Sequence, residues 1–337
     1  MKGLSIVICC YNSAPRLSPT LAHLKVQKQP SVPWEIVLID NASTDNTVEV
    51  AESSWVDGPV PLRIVYEAQQ GTRYARERGL QEASYSLVGF VDDDTWVASD
   101  WVRTAYEIMS SDQTLGAVSS IRIPVSEVPL PAWFHRYHDA YGTLTDQQLG
   151  FAPSPPLFLP TCGLCVSVEA WRDLVDSGFR SQIGGRVGSD LSGGEDTELT
   201  IALRYRGWKL DINPRLRVQH FLPKHRLEWT YLRKLLRDCD SVLLDSYTPN
   251  SLALKKGLRR LTSDWWCFQC GRALIRLGSR PGAVLAAIAS TAEGRDDVIA
   301  VEQIFGRAMG LLRSRRRYGV ARRTVREASW WLIPCAE

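Results

Sequence analysis

Apolar residues in the first third of the chain come in short runs, each closed by a polar turn and followed by a stretch of helical spacing. The run Leu4–Cys10 predicts a strand buried on both faces, with the turn Tyr11-Asn12-Ser13 after it and a helix over Pro15–Gln27. Glu35–Ile39 predicts a second strand ending at Asp40, Asn41-Ala42-Ser43-Thr44-Asp45 a turn and cap, and Asn46–Ser53 a short helix. Leu62–Tyr66, Gly71–Ala83 and Leu87–Val91 continue as strand, helix, strand, the last ending in Asp92-Asp93-Asp94. This order predicts an α/β fold with a parallel sheet and right-handed crossovers.

Ligands of open parallel sheets bind beyond the carboxyl ends of the strands. Three of the four predicted strands carry polar or acidic residues there: Tyr11-Asn12, Asp40-Asn41 and Asp92-Asp93-Asp94. That pattern suggests a nucleotide fold. Neither a Gly-x-Gly-x-x-Gly turn nor a Walker lysine loop follows the first strand, so phosphate is expected to be held another way.

Residues 115–225 read as more irregular. An aromatic stretch, Trp133 to Tyr141, leads into a Pro-rich loop; a strand over Thr161–Val168, a helix over Glu169–Ser177 and a Gly-rich loop from Gly184 to Gly194 follow. Glu195–Arg206 predicts a helix stopped by Gly207. Beyond 226 the pattern is helical throughout, over Leu227–Leu244, Ser251–Leu277, Gly282–Ala292 and Val298–Leu312.

With 337 residues, 45% hydrophobic and 23% charged, the chain can bury a sizeable core, and disorder and collagen-like repetition are excluded. The longest stretch without a charge, Gln147–Val168, contains four prolines, so no membrane-spanning helix is expected. The apolar run at the N-terminus is too short for a signal-peptide core, and a cytoplasmic protein without disulfides is expected. Cys162/Cys165 and Cys267/Cys270 have zinc-ligand spacing, but their apolar surroundings favour buried thiols. Residues 1–225 carry a net charge of −6 and residues 226–337 a net of +9, which implies two regions with different partners. A cluster of arginines from Arg313 to Arg326 precedes Trp330-Trp331-Leu332, a composition suited to an anionic membrane surface, with inward packing of the tryptophans as the alternative. No nucleic acid is expected as a partner.

Asp92 and Asp94 lie two apart, so in an extended chain both carboxylates face one side. Paired hard oxygens at an open site suit Mg2+ or Mn2+ bridging a diphosphate, whereas a bare acidic triplet also serves as a solvated cap. The apolar strand before it, and the second acid at the end of an earlier strand, favour the functional reading. Asp40 can accept hydrogen bonds from a base or ribose or cap its own turn. Of Arg73, Arg76 and Arg78, Arg76 is expected to point at phosphate. Glu195 and Asp196 open a helix, where acids complement the dipole and where a carboxylate is also placed to act as general base. His220 fits either a core position or a third metal ligand.

Five segments in order, Ile6 to Asn12, Ile39 to Asp45, Ala75 to Gly79, Gly89 to Asp94 and Gly193 to Leu199, resemble the successive motifs of family 2 glycosyltransferases with the GT-A fold. The resemblance covers about residues 4–225. It implies a GT-A catalytic domain over 1–225, with 1–114 binding nucleotide-sugar and 115–225 carrying acceptor and catalytic functions, and a helical region over 226–337. It implies that Cys9, Asp40 and Arg76 contact the nucleotide, Asp92 or Asp93 the ribose and sugar, and Asp94 a divalent metal, Mn2+ or Mg2+, with Tyr11, Asn12 and Glu195 counted among the residues that bind the nucleotide-sugar. Asp196 is then the base, and His220, in a His-x-x-Pro-x-x-Arg ending with Arg226, approaches metal or diphosphate. The sequence departs from the family at Cys9-Cys10, where Pro-Thr is frequent, and at Glu77, where Asn is frequent.

The activity so implied is a single inverting displacement from a nucleoside-diphosphate sugar to a saccharide or lipid-linked acceptor, in polysaccharide or glycoconjugate biosynthesis. Asp196 takes the acceptor proton while charge on the leaving diphosphate is met by the metal. The stretch Trp133 to Tyr141 suits either stacking on an acceptor sugar or burial. A nucleotidyltransferase is the first alternative, although its usual Gly-rich basic first loop is missing from Cys9–Arg16. A non-catalytic nucleotide-sugar-binding or assembly subunit is the second, and Asp92, Asp94 and Asp196 argue against it.

Overall fold

Alternate residues of the first strand, β1 (Leu4–Cys10), face two different cores: Leu4, Ile6 and Ile8 belong to one, Val7 to the other. This is the period-two geometry of a strand covered on both faces. The protein is described from a computed structural model, which covers residues 1–28, 30, 32–151, 153–188, 191, 193–238, 242–248, 262–289 and 292–332.

β1 pairs in parallel with β2 (Trp34–Asp40) and β4 (Leu87–Phe90), and β2 with β3 (Leu62–Tyr66). The eight-stranded sheet has the order β3-β2-β1-β4-β7-β6-β8-β5, with β5 (Thr95–Val97), β6 (Leu115–Ser126), β7 (Leu164–Ser167) and β8 (Lys209–Leu222) forming a mixed half. β7 runs antiparallel to β4 and β6, β8 runs parallel to β6, and β5 closes the edge antiparallel to β8. The region expected to be irregular therefore holds the two longest strands, β6 and β8. Pro124 and Pro214, the register shifts between them, and the exposed charged residues of β8 break the apolar alternation by which strands are recognised in a sequence.

Helices α1 (Ala14–Lys25), α2 (Thr47–Ser54) and α4 (Trp101–Ser111) cover one face of the sheet through Leu17, Leu21, Ala51, Trp101 and Ala105. The other face is covered by α3 (Thr72–Glu82), α6 (Val168–Asp176) and α7 (Glu195–Tyr205) through Ala75, Leu80, Leu174, Ala202 and Leu203. Each large aliphatic side chain so buried contributes on the order of 2 kcal/mol. A one-turn helix, α5 (Asp146–Leu149), lies between β6 and β7 and carries a capping box made by Thr145 and Gln148.

Beyond β8 follow α8 (Trp229–Asp238), α9 (Trp266–Gly278), α10 (Pro281–Ala289), α11 (Asp296–Arg313) and α12 (Tyr318–Glu327). Of the helix expected over Leu227–Leu244, α8 is described as far as Asp238 and a 3-10 segment occupies Val242–Tyr247; residues 239–241, and residues 251–261 of the expected Ser251–Leu277 helix, lie outside the described residues. The aromatic stretch goes into a core: Trp133, Phe134 and Tyr141 are buried with Leu227, Trp229, Leu232 and, from α10 and α11, Ala283 and Val298. Burial, not acceptor stacking, is the use of these three rings. Trp330 likewise turns inward, edge-on to Phe179 with ring centroids 5.2 Å apart, and the Leu332 amide donates to the Tyr205 carbonyl. Arg322 and Arg326, counted from sequence with the membrane-facing arginines, are buried on Asp264. The two Cys-x-x-Cys pairs sit in separate places. Cys162 and Cys165 are buried around β7, whereas Cys270 faces α11 and Cys267 is exposed.

Candidate active site

The parallel strands end along one edge of the sheet, and the register that pairs Cys10 with Asp40 and Val7 with Phe90 brings the three polar strand ends together. Asp40 is buried, and its Oδ1 accepts from the Ser43 amide at 3.2 Å. Asn41 ties the same loop to the start of α3, donating to the carbonyls of Glu67 and Gln69 and accepting from the Gly71 amide at 2.8 Å. Asn12 adopts a positive φ of 50°, and its Oδ1 accepts from the Thr44 amide at 2.8 Å, so its side chain braces two loops. Tyr11 is half-buried beside it, its carbonyl held by Arg16. Cys9 stands among Arg76, Asp92, Asp93 and Glu195; burial pushes its thiol up to about 12, so it stays protonated at neutral pH.

The three acids after β4 have three different fates. Asp93 turns inward, accepting from Ser13 Oγ and pairing with Arg16 at 2.6 Å, while its carbonyl accepts from Thr20. Its carboxylate anchors the start of α1. Asp94 is also buried, and its Oδ2 accepts from Arg226 Nη1 at 2.9 Å with His220 Nε2 3.6 Å from Oδ1. Burial alone would raise that carboxyl, but His220 and Arg226 overcome it and hold Asp94 well below the usual carboxylate range. Asp92 keeps about a third of its side chain exposed, 3.8 Å from Arg76. Burial and the neighbouring Asp94 raise it against the pull of Arg76.

α7 begins at Gly194, whose φ of 114° lets the chain turn from the loop into the helix. Glu195 in its first turn accepts from Thr72 Oγ1 at 2.5 Å and from Arg76 Nη1. Burial raises this carboxyl less than Arg76 and Thr72 lower it, so Glu195 is ionised. Asp196 accepts from the Thr161 and Thr197 amides at 3.3 and 2.7 Å. Burial and the charge of Glu195 raise its carboxyl, with Arg76 opposing, which makes it a stronger base than an ordinary aspartate. A crevice of about 230 Å³ between α3, α6 and α7 reaches Arg76, Glu195 and Asp196 from the side of Leu80, Trp171 and Phe179.

Arg76, expected at a phosphate, thus bridges Glu195 of α7 to Asp92, with its Nε left without a partner. Sequence reasoning missed Thr72, Thr161, Ser13 and Arg16, the residues that hold the acids in place. Thr72 lies 123 positions from Glu195, and no local pattern marks such a pair.

Polar residues at the ends of the parallel strands, an acidic corner beside them and a raised carboxylate at a helix start are the layout of the GT-A class of sugar-nucleotide transferase fold. Residues 5–164 match the family model "Glycosyl transferase family 2", and residues 87–276 match "Glycosyl transferase family group 2". The chain belongs to glycosyltransferase family 2. Among curated relatives, it is 26% identical over 107 residues to glycosyltransferase AglE of Haloferax volcanii, covering 32% of this chain and 35% of that one. It is 29% identical over 122 residues to a poly-beta-1,6-N-acetyl-D-glucosamine synthase of Staphylococcus aureus, covering 35% of this chain and 28% of that one. These matches span about a third of the relatives' length. Among solved structures, S. aureus TarS 1-349 superposes with a TM-score of 0.50 at 15% identity, covering 94% of this chain and 92% of that one. The mannosyltransferase PcManGT of Pyrobaculum calidifontis, crystallised with GDP-Man and Mn2+, gives 0.53 at 18% identity, covering 96% and 85%.

Proposed function

We propose that the protein is an inverting hexosyltransferase that moves a sugar from a nucleoside diphosphate to a saccharide or lipid-linked acceptor in polysaccharide or glycoconjugate biosynthesis. The observation that carries this reading is the convergence of Asp92, Arg76, Glu195 and Asp196 on one edge of the sheet. Residues 1–225 form the catalytic part in this reading and 226–337 a helical part.

Cys9, Tyr11, Asn12 and Asp40 line the nucleotide end, Asn12 by shaping the loop. Asp92 and Glu195 face the sugar, and Asp93 positions the corner through Ser13 and Arg16. The ionised Asp196 removes the proton from the acceptor hydroxyl as that oxygen attacks the anomeric carbon, and the bond to the diphosphate oxygen breaks. At the start of α7 its carboxylate is oriented by the Thr161 and Thr197 amides.

Mn2+ or Mg2+ suits the residues at hand. Asp94 supplies a buried ionised oxygen, His220 a ring nitrogen beside it, and His220 Nδ1 is a buried atom without a partner. Among the described residues no third His, Cys, Asp or Glu completes such a set, so an ion held here would take its remaining ligands from diphosphate and water. When bound, the ion neutralises charge on the leaving diphosphate. Arg226, now on Asp94, provides a further cation at that corner.

No helix among the described residues is long and apolar enough to cross a membrane. The net charge of +9 on residues 226–337 supports peripheral attachment to an anionic cytoplasmic membrane face, where a lipid-linked acceptor is presented. The test of the transferase reading is turnover of a panel of nucleotide sugars, with and without Mn2+. Release of nucleoside diphosphate from one donor is the expected result; no turnover with bound donor would make this a binding subunit.

A further inference from the structure

From Trp265 to Ala292 the chain has no Asp or Glu and three arginines, Arg272, Arg276 and Arg280. The two helices in this stretch are packed the wrong way round for helices on a soluble core. α9 buries Cys270 and Ala273 and leaves Leu274 55% and Ile275 75% exposed; α10, which has no charged residue, buries Ala283 and Ala287 and leaves Leu285 67% and Ile288 74% exposed. Leu277 and Val284 pack partly buried against the core, but otherwise small side chains face the protein and the large aliphatic ones face outward. All three arginines are exposed, and none makes a side-chain hydrogen bond or ion pair among the described residues.

A surface that is aliphatic, fringed by unpaired cations and free of acids complements a partner that is anionic outside and apolar within. A second copy complements it poorly, since it would bring three more arginines against these three. We propose that α9 and α10 seat the protein on an anionic lipid bilayer, with Leu274, Ile275, Leu285 and Ile288 at the headgroup and acyl boundary and the arginines on lipid phosphates. This deepens the membrane part of the function proposed above and rests on it. It also moves the contact away from Trp330, Arg322 and Arg326, which are buried. The seat is joined to the site: Ala283 and Ala287 share a core with Trp229 and with Leu227, which directly follows Arg226, the partner of Asp94.

The experiment is cosedimentation of the full chain with vesicles of phosphatidylcholine alone and with phosphatidylglycerol added. Binding is expected only with phosphatidylglycerol and is expected to fade with salt. Leu285→Gln/Ile288→Gln should weaken it about tenfold or more, and Arg272→Gln/Arg276→Gln/Arg280→Gln on the order of a hundredfold at low salt. Arg313→Gln/Arg315→Gln/Arg316→Gln should change it far less. The substituted side chains are exposed, and unchanged thermal melting confirms folding; should the aliphatic variant misfold, the arginine variant decides. Wild-type binding that both hairpin variants retain overturns the seat while leaving membrane attachment standing. No wild-type binding to either vesicle overturns both, and a lipid-free dimer abolished by Leu285→Gln/Ile288→Gln overturns the bilayer in favour of a second copy. The transferase reading is decided separately, by donor turnover without vesicles.

Discussion

Arg76 on α3 and Glu195 in the first turn of α7 are 119 positions apart in sequence and form a buried ion pair. Through it the helix that carries the proposed base is fixed to the helix that packs behind β1. The same guanidinium lies 3.8 Å from Asp92, so one side chain sets the spacing between the acidic corner and the base.

Breaking this pair takes from a buried charge its nearest opposite charge, leaving Arg76 only the more distant Asp92 or Glu195 only the Thr72 hydroxyl. Arg76→Met or Glu195→Gln is expected to cost about 3–5 kcal/mol of folding stability, read by chemical denaturation, and to weaken donor binding. The double variant should regain part of the stability and none of the turnover. Full turnover in the double variant would remove the pair from the site.

Asp196→Asn keeps the size of the side chain but cannot accept a proton. Turnover should fall by about two orders of magnitude or more, with donor affinity little changed. The base must be ionised, and its carboxyl is raised by burial and Glu195. The acid limb of the kcat profile should therefore lie above that of an ordinary aspartate, activity disappearing as pH falls through it. In Asp196→Asn that limb should be lost from the residual rate. A limb of unchanged position would assign the proton transfer elsewhere.

Chelation by EDTA should abolish turnover and leave the melting temperature close to its starting value, with Mn2+ or Mg2+ restoring activity. Asp94→Asn should abolish turnover in any divalent ion. It also weakens the hold on Arg226, so a modest loss of stability is expected. Full activity in EDTA would sink the metal proposal.

Gly185 has a φ of +75°, and a Cβ there would lie 2.3 Å from Thr72 Oγ1 and 3.1 Å from the Glu195 carboxyl carbon. Gly185→Ala should cost about 1–2 kcal/mol in backbone strain. By displacing the Thr72 contact to Glu195 it should also lower turnover by up to about a hundredfold. Equal melting curves with unchanged kcat would show that the Gly-rich loop does not support the acid pair.

The parallel half of the sheet was legible because its strands are short and apolar on both faces, and its chemistry sits where such strands end. Asp40, Asp92, Asp94, Glu195 and Asp196 could be singled out for the same reason: each follows an abrupt change of pattern. β6 and β8 were not legible, since prolines, register shifts and half-exposed residues erase the alternation. Nor could sequence choose between the two uses of Trp133 or Trp330, because an aromatic ring suits a core and a surface equally.

What the sequence by itself determined is the fold class, the family and the set of acids available to the site, all written in local patterns of a few residues. Only the tertiary structure decided what each acid does. Asp93 and Asp94 are neighbours with the same side chain, yet one anchors α1 through Ser13 and Arg16 and the other meets His220 and Arg226. A carboxylate's charge and reach depend on what the fold brings within a few ångströms of it, and those partners come from helices and strands far away along the chain.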